Sequence, residues 1–269
     1  MTEAEAKEAD AALAARLAGL RVLVCYGLLG EVMANLRTIG VDYMSRQLAW
    51  LREIGAEAAP VPLPTAARIE GNAARIAAVI EEAPTPVLLV AHSKGGLEAL
   101  SALLTPGIAG RCRGFLALQS PFRGSPVADA ALGFGRLREL ADKTLRLAKL
   151  GDGEGLRDLT VAQREPWMTE QEATIAELAT RVPLTSLATE LTEDCTLLEQ
   201  AYGPLNRWML RMGAGPNDGL VPVSSTILPG ARHEVSTGGH RALVATGPGR
   251  DPIGVLRREL AALLDRGEG

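Results

Sequence analysis

Ser93 stands in "AHSKGG", between a histidine and a lysine, directly after the apolar run "TPVLLV" and directly before the helical pattern "LEALSALL". A strand that runs straight into a helix leaves its connecting residue on a tight turn. Only small residues two positions to either side avoid collision there, and Ala91 and Gly95 supply them. Such a turn lifts a hydroxyl to the carboxyl end of a sheet and the N-terminus of a helix, where free N–H groups favour developing negative charge. Ser93 is therefore a candidate nucleophile, although a serine in this place could also do no more than cap the helix. A nucleophilic hydroxyl needs a base within about 3 Å. His92 is adjacent, but neighbouring side chains on so sharp a turn point apart, which leaves it a packing or hydrogen-bonding role. The only other histidines, His233 and His240, come late in the chain, and the base must be one of them.

Two acids are candidates to orient that base. Asp218 lies in the polar, glycine-rich "GAGPNDGLVPVSS", which could equally be an ordinary Asp-Gly turn, and Asp194 lies in "ELTEDCTLLEQ", near the expected start of a helix. At the end of the first strand, the loop "YGLLGE" can turn an amide toward Ser93. Leu28 N–H and Lys94 N–H are the candidate donors to an oxyanion, with Leu29 beside them as a candidate substrate contact.

The elements that must position these groups alternate between strand-length apolar runs and helical patterns, the mark of a mostly parallel sheet wrapped by helices. "LRVLVCYGLLG" is the first strand, "YMSRQLAWLREIG" a helix closed by Gly55, and "AEAAPVPLPT" a weak, proline-limited strand. "RIEGNAARIAAVIEEA" is the next helix, ahead of the strand and helix that flank Ser93. Later strands are expected in "CRGFLALQS", "VPLTSLAT" and around "SSTILPG", and a closing helix in "DPIGVLRRELAALLD". The mostly helical segment 127–180 interrupts this alternation and is expected to be an insertion forming a cover, or lid, within one domain spanning 1–269. Its patterns carry narrow apolar stripes, and "REPWMTE" makes Trp167 and Met168 candidates to line an acyl pocket beneath it.

With these pieces placed, the chain resembles the bacterial lipase and esterase branch of the α/β-hydrolases. "YGLLG" is similar to that branch's His-Gly-Leu-x-Gly oxyanion segment, with tyrosine for histidine, and "AHSKGG" to its Gly-His-Ser-x-Gly-Gly elbow, with alanine for the first glycine. "QSPFRGSPVADA" resembles the Thr-Pro-His-Arg-Gly-Ser stretch that precedes the lid, "LRDLT" a lid segment, and "NDGLVPVSS" the acid loop. The resemblance runs from about Arg21 to His240 and implies an α/β-hydrolase fold with a Ser93, Asp218, His240 triad, in the family's chain order. It favours Asp218 over Asp194. His240 follows the flexible "STGG", 22 positions after Asp218, and is favoured over His233, which sits nearer an expected strand. The calcium-dependent members carry an aspartate two residues after the histidine; that position is Ala242 here, so no metal site is carried over, and the triad chemistry calls for no cofactor.

Composition narrows the substrate. Net charge is only −4 with the 28 Lys and Arg scattered, which leaves no electrostatic footprint for nucleic acid or an anionic membrane. Aromatic residues make up 3%, so an aliphatic acyl pocket fits better than a carbohydrate or nucleotide site. The three separated cysteines form no disulfide framework or metal spacing, and the acidic, alanine-rich N-terminus lacks the basic start and apolar stretch of a secretory signal. The expectation is a cytoplasmic esterase acting on small-molecule esters, lipid and polyester esters among them, without integral membrane association. Thioester or polyester hydrolysis, acyl transfer by the same triad, and a non-catalytic binding scaffold are the alternatives.

Overall fold

The computed structural model describes residues 2–28, 43–133 and 154–267. In chain order the elements are α1 (Glu3–Leu17), β1 (Arg21–Cys25), α2 (Ser45–Glu53), β2 (Glu57–Pro60), α3 (Ile69–Glu82), β3 (Val87–His92), α4 (Lys94–Leu103), β4 (Cys112–Leu118), α5 (Pro126–Gly133), α6 (Val161–Ala179), β5 (Leu184–Glu190), α7 (Leu197–Gln200), α8 (Gly203–Arg211), β6 (Arg232–Thr237) and α9 (Pro252–Asp265). The strands form one sheet in the order β2-β1-β3-β4-β5-β6, every pair parallel. Parallel neighbours need crossover connections, which here place helices on both faces.

Side chains alternate along the strands to feed two cores. Leu23, Leu89, Phe115 and Ala117 pack with α3, α4 and α6 on one face, while Val24, Val90, Leu116 and Leu118 pack with α1, α2 and α9 on the other. The central strand β3 is buried along its whole length, which is why its sequence reads as an unbroken apolar run. Cys25 and Cys112 are buried in the first core, and burial drives both thiols well above the usual range.

Two elements differ from expectation. "SSTILPG" is not a strand: Val223–Thr226 is a single 3-10 turn, and the last strand is β6, farther along. As an edge strand β6 is largely solvent-facing, so "RHEVST" carries no apolar run to betray it. The N-terminal segment, from which no element was expected, is α1. Thr2 and Glu5 close a reciprocal capping box, and Leu13 and Leu17 are the residues it buries. Asp10 ties it to the domain, accepting from Trp50 Nε1 at 3.2 Å and Arg257 Nε at 2.6 Å.

Candidate active site

The sheet delivers Ser93 at the centre. β3 ends at His92 and α4 begins at Lys94, so Ser93 alone makes the turn, with φ 54° and ψ −127°, a conformation costly for a residue with a side chain. Gly95 is required by proximity: a Cβ there would lie 2.4 Å from the Cys25 carbonyl oxygen.

Ser93 Oγ lies 3.0 Å from His240 Nε2, and His240 Nδ1 lies 2.8 Å from Asp218 Oδ2. Asp218 is buried, and its other oxygen accepts from Leu220 N at 2.9 Å and Val221 N at 2.7 Å. An acceptor-only carboxylate makes Nδ1 the protonated nitrogen, leaving the Nε2 lone pair to face the serine hydroxyl. The structure thus brings together the three residues expected for the triad. Asp194 and His233 lie elsewhere: Asp194 precedes α7, and His233 sits in β6, its Nε2 2.9 Å from Thr226 Oγ1 and its pKa lowered by burial.

His92 has the supporting role expected of it. Its Nε2 donates to the His240 carbonyl at 3.0 Å, so Nδ1 must accept, and it does so from the Tyr43 hydroxyl at 2.7 Å. The Tyr43 oxygen accepts in turn from Gly27 N at 2.8 Å. Burial, then the neighbouring His240, holds the His92 pKa well below the usual range, so the ring stays neutral and the chain of donors keeps one direction. Two more side chains hold the loop before His240. Glu199 Oε2 accepts from Gly239 N at 2.7 Å, and Gln119 Nε2 donates to Gly239 O at 2.9 Å and to Asp218 Oδ2 at 3.3 Å. Sequence reasoning missed Tyr43, Gln119 and Glu199. Only Gln119 carried a signal, as a polar residue at the carboxyl end of an otherwise apolar strand.

Leu28 and Lys94, the expected main-chain donors, flank the turn, Lys94 in sequence and Leu28 along the strand exit. A Cβ on Gly27 would lie 2.8 Å from Ser93 Cβ, so the strand exit just before Leu28 runs close against the elbow. Among the described residues neither the Leu28 nor the Lys94 amide is used by another acceptor. The Lys94 side chain turns inward, fully buried, to an ion pair with Glu98. Glu98 also accepts from Asn72 Nδ2 at 2.7 Å. Leu29 lies outside the described residues, as do 134–153 of the expected lid.

A cleft of about 280 Å³ opens at Ser93 and His240. Its apolar wall comes from Val127, Ala128 and Ala131 on α5 and from Leu156 and Leu159 in the 3-10 turn Glu154–Leu159. Trp167 and Met168 are a correction to the sequence reading, because neither lines this cleft. The stripe Arg164, Met168, Ile175 and Leu178 is the buried face of α6, so Met168 is fully enclosed in the core. Trp167 lies under the Arg164 guanidinium, 4.1 Å from its ring centre, in a separate cleft between α6 and the ends of α3 and α4. A narrow stripe suffices to bury a helix against a core already closed by its neighbours.

Together these features define the α/β-hydrolase fold, a parallel sheet flanked by helices with the turn residue at the carboxyl end of its central strand. Among solved structures, the chain is similar to the metagenomic carboxyl esterase MGS0156, at 23% identity and TM-score 0.68, covering 93% of this chain and 75% of that one. It is also similar to the mature Bacillus licheniformis lipase BlEst2, at 20% identity and TM-score 0.63, covering 82% of this chain and 84% of that one. Lipase 1 from Pelosinus fermentans matches at 12% identity and TM-score 0.59, over 91% and 98% respectively. The chain matches no protein-family model and no curated protein sequence. Among the described residues no helix is long and apolar enough to cross a membrane, and no cluster of His, Cys, Asp and Glu could hold a metal ion.

Proposed function

We propose that the protein is a serine carboxylic ester hydrolase acting on small-molecule esters of aliphatic acids. One observation carries this reading: a strained serine at a strand-to-helix elbow, in hydrogen-bonded line with His240 and a buried Asp218, at the floor of an apolar cleft. His240 Nε2 takes the Ser93 proton as the oxygen attacks the ester carbonyl, and Asp218 holds the tautomer and stabilises the imidazolium. The amides of Leu28 and Lys94 receive the oxyanion, at the N-terminal end of α4 where the helix dipole adds to them. Collapse of the tetrahedral intermediate hands the proton from His240 to the departing alcohol and leaves an acyl group on Ser93. Water, deprotonated by His240, then releases the acid.

The acyl chain lies along α5 and the 154–159 turn, which cover it. The reaction belongs in the cytoplasm, where the buried thiols of Cys25 and Cys112 stay reduced. A fluorophosphonate probe tests the reading: it should label wild-type protein at Ser93, and p-nitrophenyl butyrate should be hydrolysed faster than butyryl-CoA. No adduct on Ser93 would return the fold to a binding role, and faster cleavage of the thioester would change the substrate class.

A further inference from the structure

The wall of the cleft beside His240 is not purely apolar, for a phenol stands there next to Leu220 and Val221. Tyr202, between α7 and α8, lines it beside His240 and Arg241. Its ring is wedged between the loops that carry the acid and the base. A Cβ on Gly219, the residue after Asp218, would lie 2.5 Å from Tyr202 Cβ, and a Cβ on Gly239, the residue before His240, would lie 2.5 Å from Tyr202 Cδ2. Both loops therefore need glycine because the tyrosine occupies the space between them. Packing accounts for the ring but leaves the hydroxyl without a use, since it makes no hydrogen bond among the described residues.

From this arrangement we infer that Tyr202 recognises the alcohol half of the substrate, donating a hydrogen bond to an acceptor oxygen carried by the leaving alcohol. The inference rests on the ester-hydrolase reading above. The imidazole that takes the serine proton must return it to the departing oxygen, so the alcohol lies on the His240 side of the bond being broken. Tyr202 abuts the residue before His240, whereas the apolar wall is supplied by α5 and the 154–159 turn. Burial raises the Tyr202 pKa against the opposing pull of Arg241, so the phenol remains protonated and a donor at neutral pH. The cleft thus offers aliphatic carbon along α5 and the 154–159 turn and, beside Leu220 and Val221, one hydroxyl donor for an ether, hydroxyl or carbonyl oxygen of the alcohol.

Two nearly isosteric esters test this, n-butyl butyrate and 2-methoxyethyl butyrate, which share the acyl group and differ by one ether oxygen in the alcohol. The readout is the ratio of their kcat/KM values, normalised to the ratio of their alkaline hydrolysis rates. Wild-type protein should favour the methoxyethyl ester by about three- to tenfold, the range one net hydrogen bond supports. Tyr202→Phe keeps the wedge and should bring the ratio to about one, whatever it does to the absolute rates. A ratio near one in wild-type protein that cleaves both esters, or a preference retained in Tyr202→Phe, would overturn the alcohol subsite alone. Failure to cleave either ester, with no fluorophosphonate adduct on Ser93, would overturn the hydrolase reading and the subsite with it.

Discussion

Replacing Tyr43 by phenylalanine removes one oxygen that serves two buried partners. That oxygen accepts from Gly27 N at 2.8 Å and donates to His92 Nδ1 at 2.7 Å, with Tyr43 5% and His92 2% exposed. The ring remains, so no cavity opens beyond the lost atom. What changes is that a buried amide and a buried imidazole nitrogen lose their partners, at about 1–3 kcal/mol each. His92 cannot recover by protonation, because burial holds its pKa low. The expected loss is about 2–6 kcal/mol, the lower end applying where a water enters the gap. In urea this moves the unfolding midpoint down by about 1 M, at a slope of about 3 kcal/mol per M. Because His92 also holds the His240 carbonyl, ester hydrolysis by the folded variant should fall as well. A midpoint within about 0.2 M of wild type would refute the relay as a structural device.

Ser93→Gly and Ser93→Ala should both lack ester hydrolysis. The glycine variant should nevertheless be the more stable by about 1–2 kcal/mol, seen as a higher Tm, since it alone relieves the φ of 54°. Asp218→Asn should lower kcat by about 10⁴ through the wrong imidazole tautomer, while His233→Ala remains active and His240→Ala does not; the reverse for the two histidines in an ester assay would reassign the base. Lys94→Met removes the cation that balances the buried Glu98 carboxylate and should cost about 3–5 kcal/mol by urea denaturation, much of it regained in Lys94→Met/Glu98→Leu. His92 titrates lower in the folded protein than in the unfolded chain, so the stability it contributes is complete above pH ~6.5 and is lost as pH falls below that value. His92→Gln should flatten the fall of stability as pH drops below ~6.5, by up to about 1.4 kcal/mol per pH unit.

The elements around Ser93 were legible because their physics is local. A strand buried on both faces must be apolar throughout, and a helix starting at once after it must begin with small residues. Asp218 and His240 were legible for another reason, in that few residues of the right type occur late in the chain and their order matches a known pattern. What was not legible depends on partners far away in sequence. β6 reads as a polar stretch because only its edge pairing to β5 defines it. The helix α1 shows little amphipathic pattern because only Leu13 and Leu17 need to be buried. Trp167 and Met168 were misplaced because an apolar stripe does not say which surface it meets. Glu199 and Tyr43 act through contacts to residues far along the chain, among them Gly239 and Gly27, 40 and 16 positions away, with no motif around them.

The distribution of thiols gives the protein a built-in labelling site. Cys25 and Cys112 are enclosed in the core and their pKa values are driven up by burial, whereas Cys195 is partly exposed. Thiolate is the reactive form, so a maleimide at neutral pH attaches at Cys195 while the fold is intact. That residue lies just ahead of α7, on the approach to Tyr202. A fluorophore there marks the intact protein without any engineered cysteine, and the appearance of second and third labelled positions signals that the core has opened.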